Sequence, residues 1–106
     1  MTQAELYSAL KSLGMPVAYL AFKTEVAPPF ITYHYSYPSD LMADNKNYLE
    51  ISNFQVELYT VMKDLGSEKL VQNKFKELDI PYVKTEFWLD DEKLHQIIYE
   101  IQLIGE

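Results

Sequence analysis

Cysteine is absent from this 106-residue chain, and so is arginine. Without cysteine there are no disulfides, no thiolate nucleophile and no cysteine-type zinc site. Without arginine there are no bidentate phosphate forks and no arginine fingers. Glycine is nearly missing as well, at three residues, too few for a glycine-rich phosphate cradle. None of the serines sits in a G-x-S-x-G elbow. No apolar run approaches the ~18 residues of a membrane-spanning helix. The opening stretch MTQAELYSALKSLG lacks the basic segment and solid apolar block of a signal peptide. Cations are scarce: nine lysines face sixteen carboxylates, for a formal charge of −7. Such a surface repels nucleic acid rather than clamping it.

What is abundant is apolar and aromatic. Hydrophobic residues make up 48% of the chain, with nine tyrosines, five phenylalanines and one tryptophan. That fraction is too high for disorder, and the length suits one domain with one modest core.

Local signals then set the elements. Thr2 and Glu5 match a capping box, and Leu6, Ala9, Leu10 and Leu13 recur at helical spacing until Gly14 and Pro16. This predicts a helix over 3–13. PVAYLAF, 16–22, reads as a strand. After the stiff pair Pro28-Pro29, residues 30–37 alternate, with Ile31, Tyr33, Tyr35 and Tyr37 on one strongly aromatic face. The segment 38–47 is the one sizeable loop, carrying Leu41 and Met42 among turn formers. A long strand is expected from Tyr48 to about Met62, with a bulge near Ser52-Asn53. A second helix is expected to start at Gly66-Ser67, with Ser67 as its cap and Leu70, Val71, Phe75 and Leu78 on its apolar face. Strands from Pro81 to Trp88 and from Leu94 to Ile104, joined by the LDDEK turn, complete the chain. The order α-β-β-β-α-β-β predicts an α+β, two-layer fold: a mainly antiparallel sheet with both helices on one face, in a single domain, 1–106. The other sheet face is then left open, so tyrosines on it need water or a partner.

Candidates for chemistry are few. His34 and His95 lie on predicted strands without metal-ligand spacing, and a site would have to unite them with Asp40 or Asp44. DLMADN, 40–45, lacks the spacing, central glycine and final glutamate of a calcium loop. Base stacking on Tyr33, Tyr35 and Tyr37 would need a positive groove that nine lysines among sixteen carboxylates do not supply. Cross-strand pairing or a tyrosine-rich protein interface explains the same residues better. Leu41 and Met42 either anchor in a partner's groove or fold back over the sheet edge.

Several stretches together, PVAYLAF, APPFITYHY, LMADNKNY, FQVELYTVMKD and IPYVKTEFWLDDEKLHQIIYEIQL, resemble small proteins encoded among the connector and tail genes of long-tailed phages and prophages of Gram-positive bacteria, in particular tail terminator or tail-to-head joining proteins. The resemblance runs from about Met15 to Leu103. Its most specific parts are Pro28-Pro29-Phe30, Ala43-Asp44-Asn45 with Tyr48, and Glu57-Leu58-Tyr59-Thr60 before Lys63-Asp64. It implies a virion structural protein at the tail–head junction, assembled in the host cytoplasm. It implies a ring, a hexamer, that caps the tail tube and docks the head connector, with no enzymatic activity, cofactor or sequence-specific nucleic-acid binding. Exposure reasoning places the subunit or partner contacts at Pro28, Pro29, Phe30, Tyr33, Tyr35, Tyr37, Leu41, Met42, Asp44 and Asn45. Two other readings compete. One is a small-molecule or peptide-binding module on the aromatic sheet face; the other is a metal-dependent hydrolase using His34, His95 and Asp44.

Overall fold

A computed structural model describes residues 1–105. Helix α1, Gln3–Lys11, begins with the expected reciprocal cap. Thr2 Oγ1 accepts from the Glu5 amide at 3.1 Å, and Glu5 Oε1 accepts from the Thr2 amide at 2.9 Å. Leu6 and Leu10 are fully buried beneath it. Gly14 then takes φ +88°, a left-handed turn that a side chain would strain.

Strand β1 is only Val17–Tyr19, shorter than expected, because Leu20, whose amide still donates to the Tyr33 carbonyl at 2.7 Å, adopts φ +67° and turns the chain away. It pairs parallel with β2, Phe30–Pro38, and covers Ile31–Tyr33 alone. The Pro28–Pro29 peptide preceding β2 is cis.

The predicted loop after β2 contains a hairpin. Strands β3, Leu41–Ala43, and β4, Lys46–Leu49, flank a two-residue turn in which Asp44 and Asn45 both take positive φ, 51° and 61°. This is the type I′ geometry whose twist suits a hairpin, and Asn and Asp tolerate it better than other side chains do. β5 runs from Ile51 to Thr60, so the single strand expected from Tyr48 is interrupted at Glu50. Asp40 explains the break. Its carboxylate accepts from the Ile51 amide at 3.0 Å and from the Asn47 side chain at 2.6 Å, pinning the hairpin's base to the start of β5.

Helix α2, Leu65–Glu77, starts earlier than expected. Asp64, not Ser67, is the cap, accepting from the Ser67 amide at 3.1 Å and the Ser67 hydroxyl at 2.8 Å. Val71 and Phe75 are buried, whereas Leu70 faces solvent. β6, Tyr82–Leu89, and β7, Leu94–Ile104, follow, with the turn between them as read from LDDEK.

The main sheet has the order β1-β2-β5-β7-β6 and is antiparallel except for β1 against β2. Both helices pack on one face. Tyr7 of α1 meets Tyr33 at 6.2 Å between ring centres, and Phe75 of α2 meets Tyr99 at 5.6 Å. The core between the layers gathers Leu6, Leu10, Ile31, Val56, Leu58, Val71, Phe75, Ile97 and Tyr99, each with no exposed surface. Each such aliphatic or phenylalanine side chain contributes roughly 1.5–3 kcal/mol on burial. The fold is thus the α+β sandwich expected, with the β3-β4 hairpin added.

Register reveals one more departure. The bulge lies in β2, not in β5: Tyr35 pairs with Phe54, but Tyr37 pairs with Asn53, leaving Ser36 as the extra residue. Paired residues share a face, so Tyr37 passes to the face opposite Ile31, Tyr33 and Tyr35.

Candidate functional site

The single aromatic face expected on β2 is therefore divided. Tyr33 is 5% exposed and sits in the core, with Tyr7 on one side and the edge of Tyr19 on the other at 5.2 Å. Burial raises its hydroxyl pKa. Tyr33 is a packing residue of one subunit, and the reading of it as a contact residue is corrected. Tyr35, at the rim of the same face, is exposed and meets Phe54 edge-on. Tyr37 is exposed on the opposite face. Tyr33, Tyr35 and Tyr37 do not form one ligand platform. Tyr99 and Tyr82 also lie on the helix-covered face, where they meet Phe75.

The open face carries a hydrogen-bonded belt in place of bare aromatics. Thr32, buried on this face, donates to Glu57 Oε1 at 3.1 Å. Gln96 donates to Glu57 Oε2 at 3.1 Å and to the Tyr59 hydroxyl at 2.9 Å. Phe30 stacks on Tyr59 at 4.9 Å, and Phe22 meets Phe30 edge-on. Burial, then the Glu57 charge, raises the Tyr59 pKa. His34 Nδ1 stands 3.6 Å from Glu57 Oε1, too far for a hydrogen bond. Thr32, Glu57, Tyr59 and Gln96 hold one another, so the belt reads as a sealed surface rather than a reactive one.

His34 and His95 cannot share an ion. His34 pairs with Gln55 on the open face, and His95 pairs with Thr60 on the helix face, with β5 between their strands. No group of three potential ligands gathers among the described residues, and Asp44 is out on the hairpin turn.

A charged cluster at the start of α2 stands outside the sequence-based expectations. Glu68, in the first turn of α2, is 2% exposed. Lys63 Nζ lies 3.0 Å from Glu68 Oε2 and Lys84 Nζ 2.6 Å from Glu68 Oε1. Lys63 also binds Glu86, which lowers the Glu86 pKa and raises that of Lys63. The sequence does hold a signal: Glu68 precedes Val71 and Phe75 by three and seven positions, and so shares their buried face. The cluster balances two cations against two anions, and His95 completes it at 3.8 Å from Glu86.

The remaining expected contact residues are accessible. Pro29, Asp44 and Asn45 are exposed; Pro28 and Phe30 are half-buried. On the hairpin, Leu41 is exposed, Met42 is 62% exposed and Tyr48 77%. Apolar side chains this exposed do not lie back over the sheet edge, so of the two fates open to Leu41 and Met42 the folded-back one is not adopted. A groove of about 560 Å³ at the end of the sheet is lined by Tyr37, Asn53, Gln55, Val83, Glu100 and Gln102 among others. Its described lining offers carboxylates and amides but neither histidine nor lysine.

Two stretches of main chain are also uncovered. β6 is an edge strand along its whole length. β2 loses its strand partner beyond Tyr33, where β1 stops, although the Tyr35 amide still donates to the Tyr19 hydroxyl at 3.1 Å. No helix among the described residues is long and apolar enough to cross a membrane. No protein-family model matches the sequence, and neither does any curated protein.

Proposed function

We propose that this chain is a structural subunit of a long-tailed phage, a tail terminator that closes the finished tail tube as a ring and joins it to the head connector. One observation carries the reading: a hairpin pinned at its base by Asp40 holds Leu41, Met42 and Tyr48 out in solvent, just beyond Tyr37 at the end of β2. A monomer gains nothing from exposing these side chains; a neighbour that covers them does. The molecule is extended, 49 × 28 × 24 Å, and its Cα radius of gyration of 14.7 Å exceeds the roughly 13 Å of a compact chain this long. A patch at one end that meets a different patch on the next copy closes a ring when the rotation closes. The resemblance in LMADNKNY, 41–48, covers the hairpin side chains. The partners are then further copies of the chain, the tail tube protein and the head connector, with no cofactor.

The test is to add the purified chain to isolated tail tubes. Rings at one tube end under the electron microscope, with six copies by native mass spectrometry, support the reading. Met42→Asp and Tyr48→Asp should abolish capping while circular dichroism stays unchanged. Tubes left bare by the wild-type chain, or capped equally by both variants, overturn it.

A further inference from the structure

We infer that the outer edge of β6 is a two-fold pairing surface for a second copy of this chain. The inference is independent of the ring reading, whose contacts lie on β2 and the hairpin, across the sheet from β6.

An edge strand presents alternate N–H and C=O groups outward, and these are a template for another strand. β6 is eight residues long and exposed from Val83 to Trp88. Its large apolar side chains Val83, Phe87 and Trp88 are about half exposed or more. Val61, Met62 and Leu65, equally uncovered, lie on the segment that Lys63 ties to Glu86. No bulge interrupts the register of β6 with β7, so the edge is regular.

The identity of the occupant follows from the sequence of the strand, Tyr82-Val83-Lys84-Thr85-Glu86-Phe87-Trp88. It is complementary to itself when reversed about Thr85. An antiparallel pair centred there sets Thr85 against Thr85, Lys84 against Glu86, Val83 against Phe87 and Tyr82 against Trp88. Every match is one that favours a cross-strand pair: opposite charge, apolar with aromatic, aromatic with aromatic. The faces agree too. Val83, Thr85 and Phe87 share the open face, and Tyr82, Lys84, Glu86 and Trp88 share the helix face. Moving the register by one step that keeps the faces aligned puts either Lys84 or Glu86 opposite its own copy, and like charges directly opposite are unfavourable. Lys84 and Glu86 are also held within the subunit, by Glu68 and Lys63, so the choice of a second copy over a foreign strand rests chiefly on the Val83–Phe87 and Tyr82–Trp88 matches. The two subunits then share one continuous sheet.

The absence of cysteine makes the register measurable. Thr85→Cys places a thiol opposite itself across the axis, so oxidation should cross-link it. Val83→Cys and Phe87→Cys should cross-link little alone and efficiently when mixed. In sedimentation equilibrium, Val83→Asp and Phe87→Lys should each weaken the dimer about tenfold, the pair contact occurring twice. The double variant Val83→Asp/Phe87→Lys should restore most of that loss. In it, the carboxylate introduced on one subunit faces the ammonium introduced on the other. Both native side chains are exposed in the single subunit, and unchanged circular dichroism will show that the fold survives. A wild-type chain that stays monomeric up to about 1 mM overturns the inference. So does a dimer in which Val83→Cys cross-links with itself as readily as Thr85→Cys, or one whose strength neither Val83→Asp nor Phe87→Lys changes.

Discussion

Glu68 is buried at the start of α2 because Lys63 and Lys84 arrive from elsewhere in the chain to meet it. Removing one partner of a fully buried ion pair costs about 3–5 kcal/mol. Here the lysines are partly exposed and regain water, so Glu68→Ala should cost less, about 2 kcal/mol in urea unfolding. Glu77→Ala, which breaks an exposed pair with Lys74, should stay within about 0.5 kcal/mol. Equal losses for the two would show that Glu68 is not held as described. Titration has a sign at both ends of the pH scale. Main-chain hydrogen bonds lower the pKa of Glu5, Asp40 and Asp64, and Lys63 lowers that of Glu86. Their contribution is complete above the ordinary 4.5 for Glu and 3.8 for Asp, and is lost as pH falls through the folded values. Burial raises Tyr33, Tyr59 and Tyr99, and Glu86 raises Lys63. Those contributions are complete below the ordinary 10.0 and 10.5 and are lost as pH rises. The urea midpoint should therefore be level between about pH 5 and pH 9.5 and fall on both sides. Asp64→Asn keeps a cap acceptor without the titrating charge, so it should soften the acid decline. Glu68 and Tyr33 share a lesson: each sits on a readable periodicity, yet its depth depends on what packs over it.

Elements whose signals are local are legible in the sequence, and elements set by pairing are not. The Thr2/Glu5 box, the LDDEK turn and the alternation of Leu94–Ile104 all appear in the structure where the sequence puts them. The antiparallel sheet with two helices on one face follows from order and connection length. The hairpin is hidden because its turn is Asp44-Asn45, without the glycine that advertises type I′ geometry. The bulge falls in β2 rather than β5 because alternation on one strand does not say where its partner slips. That is decided by Asn53, which donates to the Tyr37 carbonyl at 3.0 Å and to Ser39 Oγ at 2.7 Å. Pro29, Asp44 and Asn45 are exposed as expected, because proline and turn positions announce exposure; Leu41 and Met42, for which the sequence leaves two fates open, are exposed as well. Tyr33 is not, because covering by α1 is a tertiary event. The hairpin supports a direct prediction at this scale. Asp44→Pro cannot adopt φ +51° and should unmake the turn. Since the hairpin side chains lie outside the core, thermal unfolding of the body should shift little while ring formation on tail tubes is lost. A large drop in melting temperature would mean that the hairpin belongs to the core's cooperative unit.

For the whole molecule the governing quantity is charge. Each copy carries a formal −7, and six copies in a ring carry six times as much. Contact between copies must therefore overcome a long-range repulsion that salt screens: the Debye length falls from ~30 Å near 0.01 M to ~8 Å near 0.15 M. The charged groups flanking β6 pair with one another and with the neighbouring cluster, so they add little to that repulsion. Self-association, whether two-fold through β6 or in a ring, should consequently strengthen as salt rises across this range. Binding to DNA runs the other way, because affinity won by releasing counterions declines with salt. Sedimentation at the two ionic strengths separates these behaviours, and parallel titration with duplex DNA tests the second directly. In the proposed ring, acidic walls around a passage would let DNA through without adhering, so replacing the carboxylates that line it by lysine should slow DNA ejection from assembled particles. Self-association that weakens as salt rises would show instead that specific ion pairs across the contact, and not its apolar side chains, hold the copies together.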